Sequence, residues 1–254
     1  MSMQPSRVLV NCDIGERGVE NEIDRLLLQE IDIANIACGG HAGDERSAEF
    51  FRLESEKLGI MVTAHLSYPD RANFGRKSID IEPQRLAASL GTQLEALAGV
   101  ETVKFHGALY TDSCRARELA ELLTAWLCEQ AVTTVITMPG SALAESCLSA
   151  GITVLAEAFA ERRYRRDPAG GRPTLVERTL PYASIHDLEE AAAQAERIIL
   201  HGELPVVSED DRGGTEHDAV PGEAAPIRAD TVCIHSDSEL ALPLARRLRQ
   251  LVGR

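Results

Sequence analysis

Apolar and polar positions follow two alternating periods along the whole chain. Short apolar runs predict strands, and longer segments with apolar residues every three or four positions predict helices. The predicted strands cover residues 7–11, 33–38, 60–64, 102–105, 132–137, 152–156 and 231–234. The predicted helices cover residues 22–31, 45–58, 82–97, 116–129, 141–150, 188–200 and 239–251. Asp44 and Pro83 suit helix starts, and Gly59 and Gly151 suit helix ends.

Seven strands, nearly all followed by a helix, predict an α/β fold with a parallel sheet and right-handed crossovers. The periodicity does not distinguish an open sheet from a closed barrel. The length of 254 residues fits one α/β barrel, so we expect a single domain over residues 1–254. Residues 161–181 and 202–229 are rich in Gly, Pro and Arg, which predicts two long irregular loops of functional or mobile character.

The charge and the cysteines of the chain indicate which partners and which cellular compartment to expect. Acidic residues outnumber basic ones 40 to 26, and the formal net charge of -14 disfavours nucleic-acid and membrane partners. No apolar run approaches the roughly 20 residues that span a bilayer. The six cysteines show no C-x-x-C pair and predict buried free thiols. Together with the absence of a signal-peptide pattern at the start, they predict a cytoplasmic protein.

Titratable residues recur directly after the predicted strands. Four of the seven histidines, His41, His65, His106 and His235, stand at such positions. Because the carboxyl ends of parallel strands meet at the edge where ligands bind, we expect a shared site there. Asp44 also follows a strand, but it equally suits the N-cap of the next helix.

Two kinds of chemistry fit this residue set, and the residues alone leave both open. Imidazoles with a carboxylate suit zinc or another divalent ion, for which Asp13, His41 and His65 are the natural ligands. The same groups also suit metal-free acid–base catalysis. Either chemistry favours hydrolysis of an acyl or amide bond. The chain lacks the phosphate-loop, dinucleotide-binding and nucleophile-elbow motifs. The basic run at residues 162–166 predicts either an anion contact or a solvated loop.

A set of motifs, in order along nearly the whole chain, resembles the LamB/YcsF family, the A subunits of bacterial 5-oxoprolinase. The motifs are NCDIGE at 11–16, NIACGGHAGD at 35–44, SYPD at 67–70, FGR at 74–76, VKFHGALY at 103–110, EAFAER at 157–162 and CIH at 233–235. The sequence also departs from the family pattern, with Gly40 where the family usually has an aromatic residue. It is therefore identified as a divergent member whose pocket accepts 5-oxoproline or a different lactam or amide.

The resemblance implies a distorted seven-stranded β/α barrel, TIM-like and of the glycoside hydrolase or deacetylase type. It also implies ATP-dependent ring opening of 5-oxoproline (pyroglutamate), or of a related lactam, in a complex with B and C subunits. ATP would act through that complex, because an unstrained lactam resists hydrolysis and phosphorylation of its oxygen makes the carbonyl carbon electrophilic. Two alternatives stay open, a stand-alone metal-dependent amidohydrolase or deacetylase and a non-catalytic paralogue, and so does a homo-oligomer.

The family motifs also imply residue roles. Asp13 would be general base or metal ligand, and the histidines would surround the reacting carbonyl. Lys104 and Arg76 would hold a carboxylate or phosphate. The catalytic candidates are Asp13, His41, His65, His106 and Glu157. The binding candidates are Glu16, Asn35, Asp44, Tyr68, Asp70, Arg76, Lys104, Tyr110, Arg162, His235 and Asp237.

Overall fold

A computed structural model describes residues 7–166, 172–207 and 221–253. Its strands are β1 Leu9–Ile14, β2 Ile33–Ala37, β3 Met61–Leu66, β4 Thr102–Phe105, β5 Thr134–Thr137, β6 Thr153–Phe159, β7 Tyr164–Arg165, β8 Thr174–Leu175, β9 Glu203–Val207, β10 Pro221–Pro226 and β11 Thr231–Ile234. Its α-helices are α1 Glu22–Leu28, α2 Glu45–Leu58, α3 Pro83–Glu95, α4 Gly107–Arg115, α5 Arg117–Glu129, α6 Ala142–Ser149, α7 Leu188–Glu196 and α8 Ala241–Leu251.

Seven of the described strands form a closed barrel in the order β1-β11-β6-β5-β4-β3-β2. This confirms the expected α/β barrel. All five residues of β2 are buried, as expected for a strand covered on both faces. The chain divides into two compact units, Asn11–Glu157 and a second formed by the residues up to Val10 together with Ala158–Arg254.

In the Asn11–Glu157 unit most helices begin and end where the sequence predicts. Asp44 caps α2 in a capping box with Ser47, and Gly59 ends that helix in the left-handed conformation. Helix α4 is the exception, because the sequence pattern predicts residues 107–110 as part of a strand-exit motif. It has only nine residues and begins at a glycine, so its apolar period is too short to recognise.

The second unit corrects the prediction of two irregular loops. Strands β7, β8, β9 and β10 form a four-stranded sheet in the order β10-β9-β7-β8. Strands β7 and β8 have only two residues each, which is too short to recognise from the sequence. Strand β10 contains Pro221, Gly222 and Pro226, and these residue types argue against a strand. Strand β10 tolerates its prolines because it is an edge strand, antiparallel to β9. Residues 167–171 and 208–220 of the two stretches lie outside the described residues.

The structure also shows how far the cysteines are buried and whether a helix could cross a membrane. Four cysteines are buried, but Cys114 is half-buried and Cys128 is exposed on α5, which differs from the expected burial of all six. Helix α5 buries one face only, and Cys128 stands on the other. Among the described residues no helix is both long enough and apolar enough to cross a membrane.

Candidate active site

The register of the first strands brings polar residues side by side. Asp13 of β1 pairs with Asn35 of β2, and His65 of β3 pairs with Lys104 of β4. Asn11 stands two residues before Asp13, and alternate strand residues face the same side of a sheet. Asn35 Nδ2 donates to Asn11 Oδ1 at 2.7 Å and to Asp13 Oδ1 at 3.0 Å. The pairing of neighbouring parallel strands therefore places Asn11, Asp13 and Asn35 together in one buried polar layer.

Lys104 is the cation of this layer. Its Nζ donates to Asn11 Oδ1 at 3.2 Å and to Asp13 Oδ1 at 3.1 Å, and forms an ion pair with Glu157 Oε1 at 2.9 Å. Both paired carboxylates and the ammonium group are buried. The ammonium group therefore has two side-chain acceptors within hydrogen-bond distance and a third, carboxylate partner in an ion pair. These contacts place Lys104 where it can position Asp13 and Glu157, and the expectation that it holds a substrate carboxylate or phosphate stays a prediction.

His65 and His106 meet through one nitrogen each. His65 Nε2 and His106 Nδ1 are 3.0 Å apart, and the two rings are nearly perpendicular at 87°. Their other nitrogens face backbone carbonyls: His65 Nδ1 lies 3.2 Å from Lys104 O, and His106 Nε2 lies 3.0 Å from Phe74 O. Because a carbonyl only accepts, both outer nitrogens carry the proton. The protein backbone thus fixes the tautomers of both rings.

His41 and Glu16 complete the group on the loops after β2 and β1. His41 Nε2 lies 3.0 Å from Glu16 Oε1, and its ring stacks on that of His106 with centroids 3.7 Å apart. Glu16 Oε1 is also 3.6 Å from His106 Nδ1, and Asp13 Oδ1 is 3.4 Å from His65 Nε2. Two carboxylates therefore flank the point where His65 and His106 meet.

We refer to this group as the strand-end cluster. Its members all belong to the Asn11–Glu157 unit. They are Asn11, Asp13, Glu16, Asn35, His41, His65, Lys104, His106 and Glu157.

Burial changes the protonation of two histidines in the cluster. Desolvation lowers the pKa of His41 to about 4, partly offset by the charge of Asp13. Desolvation also lowers the pKa of His106 well below its usual value, with further lowering from His41 and His65. Both rings are therefore neutral near pH 7 and offer a lone pair. Neutral imidazoles suit a general base or a metal ligand.

The turn that follows β3 approaches the histidines closely. Gly75 has φ +62, and a Cβ there would lie 2.9 Å from the Cβ of His41 and 3.2 Å from Cδ2 of His106. Residue 75 must therefore be glycine both for conformation and for space. The preceding Phe74 packs edge-on against His41 and His106, with ring centroids 5.3 and 5.4 Å apart. No local sequence pattern indicates this role of Phe74.

Two of the predicted binding residues act as local caps. The side chain of Asp44, which is exposed, accepts from the backbone N of Ser47 at 2.7 Å. The side chain of Asp70 accepts from the backbone and side-chain nitrogens of Asn73 in the short 3-10 turn Arg71–Asn73. These contacts explain both aspartates structurally, and their binding roles stay predictions.

Three further candidates surround the same turn and helix α4. The buried Tyr68 donates its hydroxyl to Asp112 Oδ2 at 3.1 Å, and Tyr110 is buried in α4. Arg76 is exposed, and its guanidinium carbon lies 4.7 Å above the ring of Phe74. Since Phe74 contacts the histidines, Arg76 is an accessible cation beside the strand-end cluster.

The remaining candidates, Arg162, His235 and Asp237, belong to the second unit. Arg162 is buried and donates to two backbone carbonyls, Ala183 O at 3.2 Å and Val176 O at 2.7 Å. His235 contacts Glu161 Oε2 through its backbone N at 3.2 Å and its Nδ1 at 3.3 Å. Asp237 is exposed.

The basic run at residues 162–166 is held by contacts within the same unit. Arg163 forms an ion pair with Glu190, and Arg165 forms one with Glu177. With Arg162 held by backbone carbonyls, these three arginines are not a solvated loop: two of them already contact carboxylates of the same unit, and contact of the run with an anion from outside the chain stays a prediction.

The protein is therefore a parallel β/α-barrel protein with a buried cluster of carboxylates, imidazoles and one lysine at the ends of its strands. The chain belongs to the LamB/YcsF family, whose model matches residues 8–254. A lactam utilization protein from Thermus thermophilus is 30% identical with a TM-score of 0.78, covering 96% of this chain and 95% of that chain. A family 4 carbohydrate esterase from Streptomyces lividans, solved with acetate, is 9% identical with a TM-score of 0.47, covering 98% and 88%.

Proposed function

We propose that this protein opens the ring of 5-oxoproline, or of a related lactam, by ATP-dependent hydrolysis as the A subunit of a complex with B and C subunits. Family membership supports a role on lactams, as does the likeness to a lactam utilization protein. The observation that carries the proposal is the buried carboxylate of Asp13, held between Asn35 and Lys104 and 3.4 Å from His65. It supports a positioned general base at the reacting carbonyl.

The difficulty of the reaction lies in the amide. Phosphorylation of the lactam oxygen by ATP forms an O–P bond, releases ADP and leaves an electrophilic ring carbon. In our proposal Asp13 accepts a proton from the water that attacks this carbon. The ring C–N bond then breaks as its nitrogen takes up a proton, and a second water hydrolyses the resulting acyl phosphate to the amino acid and phosphate. Lys104 holds Asp13 and Glu157 in place through its contacts with both carboxylates, and the cluster excludes bulk water because the side chains of its members are buried.

The anionic substrate needs a cation that substrate can reach. Arg76 is exposed and lies over Phe74, which contacts His41 and His106. We propose that Arg76 contacts the substrate carboxylate or the phosphoryl group. The sequence contains no phosphate-loop motif, so we assign nucleotide binding mainly to the B and C subunits.

The experiment is glutamate release from 5-oxoproline with ATP, using this protein with and without candidate B and C subunits. We expect release only when all three are present. The B and C subunits are first shown to be active with an ordinary A subunit. If the mixture with this protein then releases no glutamate from 5-oxoproline and no amino acid from other lactams, the proposal is wrong.

A second candidate function is a stand-alone metal-dependent amidohydrolase or deacetylase. The observation that favours it is the grouping of Glu16, His41, His65 and His106, whose ligand atoms all lie within 4.8 Å of one another. Hydrolysis of an amide by this protein alone, without ATP, would support the second candidate over the first.

Two broader expectations accompany the proposal. We propose that residues 1–254 act as one functional domain, which the match of the family model over residues 8–254 supports. We also propose that the reaction takes place in the cytoplasm, where ATP is available and the six free cysteines stay reduced.

A further inference from the structure

The contact between His65 and His106 raises an electrostatic problem. Both outer nitrogens are committed as donors to backbone carbonyls, Lys104 O and Phe74 O. In two neutral rings the inner nitrogens, His65 Nε2 and His106 Nδ1, then carry only lone pairs. These lone pairs face each other across 3.0 Å in a buried site. Such a contact is repulsive unless a cation lies between the two nitrogens.

The surroundings of the pair are those that a divalent cation needs. Glu16 Oε1 lies 3.6 Å from His106 Nδ1, and Asp13 Oδ1 lies 3.4 Å from His65 Nε2. The strand-end cluster has three carboxylates, on Asp13, Glu16 and Glu157, against the single ammonium group of Lys104.

We propose that His65 Nε2, His106 Nδ1 and the carboxylate of Glu16 form a binding site for a divalent transition-metal ion such as Zn²⁺. Ligands at about 2.0–2.1 Å around a tetrahedral zinc lie roughly 3.3–3.4 Å apart. The separations of 3.0 Å between the two nitrogens and 3.6 Å between His106 and Glu16 bracket that value. Two histidines and one carboxylate leave coordination positions open, as in catalytic metal sites.

Ring geometry decides which histidines bind the ion. An imidazole binds a metal in the plane of its ring. His65 and His106 are nearly perpendicular at 87°, so both planes can contain one ion. His41 is parallel to His106 within 2° and stacked on it, so one ion cannot lie in both of those planes. His41 instead donates to Glu16 Oε1 at 3.0 Å, the contact by which an outer residue orients a ligating carboxylate.

The backbone contacts fit this assignment. A metal-binding histidine usually donates its second N–H to a carbonyl or carboxylate, and His65 and His106 both do so. Asp13 is not assigned as a ligand because the oxygen that lies 3.4 Å from His65 Nε2, Oδ1, already accepts from Lys104 Nζ and Asn35 Nδ2. The site therefore differs from the Asp13, His41 and His65 set that the sequence predicts. When bound, such an ion would polarise a carbonyl or lower the pKa of a bound water.

The test measures metal binding without lactam, ATP or other subunits, so its failure is separate from a failure of the proposed function. The full chain, free of any affinity tag, is stripped with chelator and dialysed against Zn²⁺ or Co²⁺. We expect one ion per chain by elemental analysis and a visible ligand-field spectrum of Co²⁺ with low symmetry. X-ray absorption of the zinc form should show two imidazole ligands.

Substitutions then separate ligands from the orienting residue. His65→Phe and His106→Phe should each weaken Co²⁺ binding at least about 100-fold and remove the ligand-field bands. His41→Phe should keep those bands and weaken binding by about 10-fold. The double variant His65→Phe/His106→Phe measures background binding by surface histidines and cysteines, and circular dichroism checks the fold of each variant.

Two results would overturn the proposal. The wild-type chain could bind neither ion above the background of the double variant, in which case a proton and not a metal lies between the two rings. Alternatively, X-ray absorption could show three imidazoles, or His41→Phe could remove the bands, in which case the ligand assignment is wrong. The wild-type measurements decide the matter even if a variant fails to fold.

Discussion

The two units of the chain bury polar side chains for different purposes. In the Asn11–Glu157 unit the buried groups mainly contact one another, as Lys104 does with Asp13 and Glu157. In the second unit they mainly contact the backbone. Arg162 donates to two carbonyls, and Gln194 Nε2 donates to the carbonyls of Phe159, Ala160 and Arg162 at 2.8–3.1 Å.

The difference shows that burial of a charged residue is not by itself a sign of chemistry. Backbone carbonyls within a fold need donors, and a buried arginine or glutamine that supplies them stabilises the structure. Side chains that contact each other instead hold charges and lone pairs at fixed positions, which is a requirement for catalysis. Arg162 and Asp13 both stand in motifs that resemble those of the family, and their different partners predict these two different roles.

The largest effect that we expect comes from Asp13→Asn. The change keeps the shape of the side chain and removes the charge that Lys104 contacts at 3.1 Å. Loss of a general base typically lowers turnover by about 10³-fold, so glutamate release in the reconstituted complex should fall by that order. The thermal unfolding temperature should change by only a few degrees.

A matched control for this change lies in the same unit. Asp24 is also fully buried, and accepts from the backbone N of Gly15 at 3.0 Å and from Arg17 at 3.1 Å, outside the strand-end cluster. Asp24→Asn should leave turnover within about threefold of wild type. Equal losses for both variants, or activity that survives Asp13→Asn, would contradict the role assigned to Asp13.

The second effect is on stability and comes from Lys104→Met. This change leaves Asp13 and Glu157 buried without their ammonium partner, and breaking a buried ion pair costs about 3–5 kcal/mol. Urea unfolding should show the loss. The triple variant Lys104→Met/Asp13→Asn/Glu157→Gln should recover part of it without recovering turnover. A loss below about 1 kcal/mol in the single variant would show that the pairing is unimportant.

Some of this site could be predicted from the sequence, for a physical reason. Asp13, His65 and His106 stand at or just after strand ends, and parallel strands bring such positions to one edge. The positions of the predicted strands were enough to identify these three residues. Asn11 could also have been predicted from the sequence, because it stands two residues before Asp13 in the same strand and must face the same side.

Other features depend on contacts between distant segments, which no local pattern records. The stacking of His41 on His106 and the contact of both with Phe74 depend on how three loops meet. Gly40 is a similar case. A Cβ at residue 40 would lie 2.3 Å from Gln93 Oε1 of α3, so that amide fills the space that a side chain at residue 40 would need. Only the tertiary structure shows this contact.

The third effect tests the structural side of the comparison. Gln194→Met removes the donor to three buried carbonyls, and unsatisfied buried groups should cost about 2–3 kcal/mol in the free energy of unfolding. Turnover per folded molecule should be unchanged. The control Gln250→Met, at an exposed position of α8, should change the stability by less than about 0.5 kcal/mol. Loss of turnover with full stability would reverse the assignment of Gln194.

The smallest effect is a difference between two glycines. Gly59 and Gly75 have similar φ values of +68 and +62, so alanine at either position costs about 1–2 kcal/mol for its conformation. A Cβ at Gly59 meets nothing within 4 Å, whereas one at Gly75 meets His41 Cβ at 2.9 Å. The unfolding free energy of Gly75→Ala should therefore fall about 1 kcal/mol further than that of Gly59→Ala.

The same two variants also show whether turnover depends on the positions of the histidines or only on the stability of the fold. The added methyl group of Gly75→Ala must displace His41, which orients Glu16, or His106, which contacts His65. Turnover should then fall for Gly75→Ala and stay near wild type for Gly59→Ala, both measured well below their unfolding temperatures. Equal turnover in the two variants would show that the histidines tolerate a shift of several tenths of an ångström, and that their fixed positions are not required for the reaction.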